Sequence, residues 1–305
     1  MQTTLKSPIT FTGTGLHTGR PVRMTIHPAS AEYGLWFRRT DIDSPDALIP
    51  ARWDAVEPSR LCTKLANGCA SVMTVEHLMA ALAGCGVHNA LIEIDGPEVP
   101  VMDGSSAPFV HGILSRGLRR LAVPVRVLRI LEHVEVSEGA ARASLGPADM
   151  LEIDFEITFA DAAIGHQAKR LNMANGAFVR ELCDSRTFCR NADVEAMRAA
   201  GLALGGTFDN AVVIDGDKVL SPGGLRHRDE PVRHKMLDAL GDLALAGAPI
   251  LGRYRGERAG HALTNRLLRA LFAQPGAFRL ETCSTAQGAA LPGFGLNQAD
   301  LKAVA

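Results

Sequence analysis

Apolar and polar residues alternate with a period of two in parts of the first third of the chain, which is the pattern of half-buried β-strands. Val22, Met24 and Ile26 are the apolar positions of one such segment, and Leu35 and Phe37 repeat the spacing. Turn residues separate these segments. The pattern therefore predicts a β-sheet for this region.

The apolar spacing becomes helical after Thr74 and ends at Gly84 and Gly86, which predicts a helix. Residues 89–96 then predict a strand and residues 107–114 a second helix. Residues 121–124 are the predicted linker. The apolar positions of the first helix are Val75, Leu78, Met79 and Leu82.

The second half begins again with strands, and residues 151–159 show the clearest alternation. Short helices and a glycine-rich loop are predicted between 177 and 209. A helix (231–246), a strand (250–254) and a last helix (261–272) follow. Both halves thus end as helix, strand, loop and helix, so we predict an α+β protein of two similar domains, residues 1–121 and 125–305. A duplication would explain the similarity, and two unrelated α+β domains remain the alternative.

Composition narrows the class of protein. The 305 residues suggest about two domains at the usual ~150 residues each. Lys and Arg total 32 against 33 Asp and Glu, so no global positive field attracts nucleic acid or an anionic membrane. Aromatic residues make up only 5%, which argues against a base-stacking surface. We therefore expect no nucleic-acid partner.

The N-terminal residues and the cysteines give no sign that the protein is exported. The N-terminus lacks a basic segment followed by an apolar core, and the best apolar run, 243–252, is shorter than the ~18 residues that span a bilayer. The six cysteines include no Cys-x-x-Cys pair, which fits reduced thiols. We expect a cytoplasmic protein without an integral membrane segment.

The predicted helix at 229–242 carries chemistry as well as packing. Residues four apart lie about 40° apart around a helix axis, so His234, Asp238 and Asp242 form one polar stripe. Two ligands one turn apart suit a cation. A His-x-x-x-Asp pair alone is weak evidence, because such pairs are also common as solvated surface charges.

A second pair strengthens the metal hypothesis. Glu76 and His77 fall in the first turn of an otherwise apolar helix, where neither is needed for packing. Two histidines and one carboxylate would leave one coordination position of a metal open, as in catalytic zinc sites. Glu76 is then a candidate general base for hydrolysis, and His261, at a helix start after Gly260, is a candidate acid that Asp242 would orient.

Distinctive motifs lie along nearly the whole chain, at residues 13–19, 74–78, 102–109, 186–188, 205–210, 232–242 and 260–265. These motifs resemble those of the UDP-3-O-acyl-N-acetylglucosamine deacetylases. The resemblance implies two α+β domains whose helices pack between the sheets, with a metal site at their junction. It also implies removal of acetate from UDP-3-O-(3-hydroxyacyl)-N-acetylglucosamine, the committed step of lipid A synthesis.

The resemblance also implies residue roles. His77, His234 and Asp238 would bind Zn²⁺, with Fe²⁺ as an alternative occupant. Glu76 would be the general base and His261, partnered by Asp242, the general acid. The implied substrate contacts are Thr187 at the oxyanion, Lys235 and Phe188 at the substrate, and Arg258 where the family has a lysine that meets the diphosphate.

An insert at about 194–213 would form the passage for the acyl chain, because apolar walls suit a fatty acyl group. Leu202, Leu204 and Phe208 would line it, and Gly206 would sit where bulk limits chain length. We interpret His17, in the 13–19 turn, as a hydrogen-bonded loop residue. No protein partner is evident, and we expect a monomer.

Two rival functions remain open at this point. Two histidines and a carboxylate also describe the facial triad of iron(II) oxygenases, although Glu76 beside the open position suits water activation. A non-catalytic module that binds nucleotide-sugar lipids is the second rival.

Overall fold

The N-terminal half is a set of short sheets that carry two helices. The protein is described by a computed structural model that covers residues 1–297 and 299–300. The strands of this half are β1 (Thr3–Leu5), β2 (Ile9–Thr14), β3 (Pro21–Pro28), β4 (Leu35–Arg39), β5 (Leu48–Pro50), β6 (Val56–Glu57), β7 (Lys64–Asn67), β8 (Ala70–Met73), β9 (Ala90–Ile94) and β10 (Leu118–Arg120). The helices are α1 (Glu76–Gly84) and α2 (Ala107–Arg116).

The described part of the second half contains a larger sheet and further helices. Its strands are β11 (Arg126–Ile130), β12 (Val134–Glu138), β13 (Ala141–Gly146), β14 (Leu151–Thr158), β15 (His166–Asn172), β16 (Phe188–Arg190), β17 (Val212–Asp215), β18 (Lys218–Val219), β19 (Ile250–Glu257) and β20 (Phe278–Thr282). Its helices are α3 (Ala177–Glu181), α4 (Asn191–Ala199), α5 (Glu230–Ala244), α6 (His261–Phe272) and α7 (Thr285–Ala289).

The two halves share one strand topology. In the first half the main sheet has the order β2-β3-β9-β4-β5, and in the second half five strands have the order β12-β13-β19-β14-β15. Within each set of five, only the central strand and one neighbour, β9 with β4 and β19 with β14, run parallel. The sheet of the second half also contains β11, which pairs parallel with β19, and β20, which pairs antiparallel with β11. A helix precedes each central strand and another follows it. The prediction of an α+β protein with two similar halves is confirmed.

The predicted elements lie close to where the periodicity placed them. In β14 the alternating residues Leu151, Ile153, Phe155 and Ile157 are buried, and α6 begins and ends where predicted. The domain limits at 121 and 125 stay predictions, and residues 298 and 301–305 of the predicted second domain lie outside the described residues. Among the described helices, none is both long and apolar enough to cross a membrane.

The helices of the two halves meet between the sheets. Helices α5 and α6 pack on the sheet of the second half, and α1 packs along α5. Most side chains of α1 are buried, as expected for a helix that is apolar on all sides. At the crossing, a Cβ added to Gly241 would lie 2.0 Å from the carbonyl oxygen of Glu76. The absent side chain of Gly241 therefore allows the two helices to approach at this point.

Substituting Gly241→Ala tests this contact. The added methyl must displace the backbone of Glu76, so we expect the free energy of unfolding to fall by about 1–3 kcal/mol, as in overpacked cores. Denaturant unfolding measures the loss. Gly288→Ala, in the short helix α7, is the matched control. Its new Cβ would lie 3.7 Å from the sulfur of Cys283, which is an ordinary contact. Equal stability of the two variants would contradict the close approach.

Candidate metal centre and active site

Three potential metal ligands converge where α1 meets α5. His77 lies in the first turn of α1, and His234 and Asp238 lie one turn apart on α5. One ligand atom of each lies within 4.8 Å of the others. Asp238 Oδ1 is 3.6 Å from Nε2 of His77 and 3.3 Å from Nε2 of His234. The three side chains are buried, so the alternative that His234 and Asp238 are solvated surface charges is excluded.

The hydrogen bonds and ionisation states of these groups suit the binding of a cation. Nδ1 of His234 donates to the carbonyl of Ser185 over 3.0 Å, which leaves Nε2 free for a metal. Burial lowers the pKa of His234 to about 4, so its imidazole is neutral. Burial opposes ionisation of Asp238, but the positive charges of Lys235 and His261 hold its pKa well below the ordinary value. Asp238 Oδ1 is buried and has no hydrogen-bond partner in the described part of the chain, as expected of an oxygen that binds a cation.

Glu76 lies beside this cluster at the start of α1. Its side chain is only 3% exposed, and burial raises its pKa. One oxygen, Oε2, accepts a hydrogen bond from the main-chain N–H of Thr63 over 3.0 Å. The other, Oε1, lies 3.8 Å from Nε2 of His261. A raised pKa makes the carboxylate a stronger proton acceptor, which suits a general base.

His261 and Asp242 form a hydrogen-bonded pair across α5 and α6. Nδ1 of His261 donates to Asp242 Oδ2 over 2.9 Å. Burial opposes the charged imidazole, but Asp242, Glu76 and Asp238 raise the pKa of His261 to about 9. His261 is thus protonated at neutral pH, as a proton donor requires, and its Nε2 lies 3.8 Å from both Glu76 Oε1 and Asp238 Oδ2. The orienting role of Asp242 stays a prediction.

Lys235 lies on the same turn of α5 as the ligands. Its Nζ donates to Asp238 Oδ2 over 2.8 Å. Burial opposes its charge, but Asp238 raises its pKa. The structure therefore brings Lys235 to the edge of the cluster, paired with a ligand carboxylate.

Thr187 lies in the loop that precedes β16, and Phe188 is the first residue of that strand, next to the cluster. The N–H of Thr187 donates to the carbonyl of Gly104 over 2.8 Å, and the ring centroid of Phe188 is 6.3 Å from that of His234. The preceding Arg186 forms a buried ion pair with Glu230, whose carboxylate also accepts the N–H of Arg186. Sequence reasoning missed this ion pair, which attaches the loop to the start of α5.

The remaining predicted residues lie farther from the metal cluster. Arg258 is exposed in the turn before His261 and has a left-handed φ of 50°. In the predicted insert, Leu202 is half-buried and Phe208 is 49% exposed. A Cβ added to Gly206 would lie 3.7 Å from the side chain of Leu16. The structure places these residues in loops outside the metal cluster.

His17 lies closer to the centre than its sequence context indicated. It is buried, and its pKa is lowered by burial, with the charges of His261 and His77 acting in the same direction. Its Nε2 is buried without a hydrogen-bond partner among the described residues. The interpretation as a loop residue holds for its main chain, whose N–H donates to Glu98 over 2.8 Å. The sequence around His17, a short turn flanked by glycines, did not indicate that this residue lies near His77.

Two cavities adjoin the helices. One of about 280 Å³ lies beside the centre and is lined by residues that include Cys62, Thr63 and His261. A larger cavity of about 490 Å³ lies at the opposite end of α1 and α5, between residues of both halves such as Trp36 and Leu243. The smaller cavity shows that space beside His261 is open.

Fold and site together define a class of protein. A buried cluster of two histidines and an aspartate, with a carboxylate and a charged imidazole beside it, fits a metal-dependent hydrolase. The chain belongs to the UDP-3-O-acyl N-acetylglycosamine deacetylase family, whose model matches residues 2–273.

Similar proteins cover almost the whole chain. A protein of Phenylobacterium zucineum is 50% identical over 282 residues, which are 92% of this chain and 96% of that protein. Proteins of Idiomarina loihiensis and an Anaeromyxobacter species are 47% and 46% identical, over 95% and 92% of this chain and 95% and 91% of their own lengths. All three are named UDP-3-O-acyl-N-acetylglucosamine deacetylase.

Removing a ligand tests the metal centre. We expect His77→Ala and Asp238→Ala to lose most of the divalent cation that the wild-type protein retains, because two protein ligands hold it much less tightly than three. Elemental analysis after dialysis measures the content. His166→Ala is the matched control, because His166 lies on β15 with its side chain 60% exposed. Full retention by both ligand variants would mean that the ligands are assigned wrongly.

Proposed function

We propose that the protein hydrolyses the acetamide of UDP-3-O-(3-hydroxyacyl)-N-acetylglucosamine, releasing acetate and the free 2-amine, the committed step of lipid A synthesis. One observation carries the proposal. A buried carboxylate, Glu76, and a charged imidazole, His261, lie 3.8 Å apart beside the His77, His234 and Asp238 cluster, in a chain 50% identical to a protein named for this reaction.

His77, His234 and Asp238 would hold the cation, and Zn²⁺ is the proposed metal because two imidazoles, one carboxylate and an open position suit it. Fe²⁺ is the alternative occupant of the same ligands. When bound, a divalent cation supplies Lewis acidity that polarises the amide carbonyl and makes water more acidic.

The protein's own residues move the protons. Glu76 takes a proton from the attacking water, whose oxygen forms the new bond to the carbonyl carbon. His261 gives its Nε2 proton to the amide nitrogen as the carbon–nitrogen bond breaks, so the amine leaves neutral. Asp242 keeps the imidazole oriented and charged through the 2.9 Å hydrogen bond. The hydroxyl of Thr187 would stabilise the oxyanion.

Other residues bind the substrate in this proposal. Lys235 and Phe188 contact it at the edge of the cluster, and Arg258 meets the diphosphate, since its exposed guanidinium is a bidentate phosphate partner. Leu202, Phe208 and the exposed Leu204 line the acyl passage at about 194–213, where Gly206 leaves room for the chain. Apolar side chains exposed to this extent are natural contacts for an acyl chain.

The organisation of the protein belongs to the same proposal. We take residues 1–121 and 125–305 as two domains that each contribute ligands to one site. The enzyme acts as a cytoplasmic monomer whose partner is its small-molecule substrate.

Acetate release from the acylated substrate tests the function. We expect turnover by the wild-type enzyme, loss of turnover with a chelator, and recovery on addition of Zn²⁺. Glu76→Ala should retain the metal but lose about 10²- to 10⁴-fold in rate, the usual value of a positioned base. An iron(II) oxygenase or a non-catalytic binding module would release no acetate, and near wild-type turnover by Glu76→Ala would remove Glu76 from the mechanism.

The dependence of rate on pH tests the acid. We expect a bell-shaped curve whose acidic limb reports Glu76 and whose alkaline limb reports His261. His261 must be protonated to act, so the rate should fall as pH rises through about 9, the pKa of this imidazole. Asp242→Asn should move the alkaline limb to lower pH, because Asp242 raises that pKa. An alkaline limb that persists unchanged in His261→Ala would exclude His261 as the acid.

A further inference from the structure

We propose that Thr63 is a positioning residue that sets the orientation of both the general base and the partner of the general acid. This inference rests on the proposed function, because it assigns Thr63 a part in that reaction. Thr63 lies immediately before β7, in a segment for which the sequence predicted no function.

Thr63 hydrogen-bonds to both carboxylates. Its main-chain N–H donates to Glu76 Oε2 over 3.0 Å, and its hydroxyl donates to Asp242 Oδ1 over 2.6 Å. The first partner is 13 residues away and the second 179 residues away. One residue of the N-terminal half therefore connects the start of α1 to α5.

The contacts leave one oxygen of each carboxylate for His261. With Oδ1 of Asp242 bound to Thr63, Oδ2 faces Nδ1 of His261 at 2.9 Å. With Oε2 of Glu76 bound to Thr63, Oε1 faces Nε2 of His261 at 3.8 Å. Thr63 thus selects which oxygen each carboxylate presents to the two ring nitrogens.

The surroundings of Thr63 make its hydroxyl hard to replace. Thr63 is 4% exposed, and Asp242 is 3% exposed. A hydrogen bond to a buried carboxylate contributes more than one between neutral groups, and losing the donor leaves the carboxylate oxygen unsatisfied. The carbonyl of Thr63 also accepts the N–H of Val75, just before α1, so the segment is held against the helix that carries Glu76.

Thr63→Val, which keeps the shape and removes the hydroxyl, tests the inference. We expect kcat for acetate release to fall about 10- to 100-fold, with KM and metal content nearly unchanged, because the lost bond orients groups that act in the transition state. Thr63→Ser should restore most of kcat. Thr4→Val is the matched control, because the hydroxyl of Thr4 is buried and donates to the carbonyl of Asn89 over 2.7 Å, away from the site.

The double variant Thr63→Val, Asp242→Asn tests the route of the effect. If Thr63 acts through Asp242, the double variant should be less impaired than the product of the two single effects. Fully multiplicative effects would overturn the inference, as would a kcat for Thr63→Val within twofold of wild type.

A second pair decides the question if Thr63→Val does not fold. Thr63→Ser and Thr63→Ala are both smaller than threonine and differ only in the hydroxyl. Equal kcat for these two would overturn the inference, and a lower kcat for the alanine variant would support it. Absence of acetate release by the wild-type enzyme would instead refute the proposed function, so the two failures are distinguishable.

Discussion

The close crossing of α1 and α5 is the constraint on which the rest of the site depends. His77 belongs to one helix and His234 and Asp238 to the other, so three ligand atoms can lie within 4.8 Å only if the helix backbones approach closely. Gly241 allows that approach, because any side chain there would meet the carbonyl of Glu76. Packing between the two halves and the convergence of the three potential ligands are therefore consequences of the same contact.

Burial at this crossing places several charges in one poorly solvated volume. Burial by itself favours the neutral form of each group, and this is the outcome for His234. His261 is driven the other way because the carboxylates of Asp242, Glu76 and Asp238 surround it. Two histidines beside the same helix crossing, His234 and His261, thus have opposite ionisation states, one suited to bind a cation and one to donate a proton.

Loops around the helices hold these groups in place through buried polar contacts. Arg186 and Glu230 connect the Thr187 loop to the first turn of α5. Glu98 accepts hydrogen bonds from the N–H groups of His17 and Thr18 and from the hydroxyl of Thr74, and thereby fixes the turn that leads into α1. Thr74 has a left-handed φ of 56°, a conformation that is costly for a β-branched residue and is maintained by such contacts.

Local periodicity determined the elements and the stripe on α5, because residues four apart share a helix face whatever the helix packs against. The same local reasoning placed Glu76 and His77 in the first turn of α1 and gave α6 its limits. The sequence alone therefore predicted both sources of ligands and a second half resembling the first. It could not show that the two helices touch.

Tertiary structure decided which distant residues became neighbours and how deeply each was buried. Thr63 and Asp242, Ser185 and His234, and Arg186 and Glu230 are far apart in the chain, and no periodicity connects them. Burial also decided the charge of each imidazole, because a pKa depends on desolvation and on nearby charges rather than on residue type. Composition and spacing can nominate such groups, but only the packing of both halves sets their distances and their ionisation.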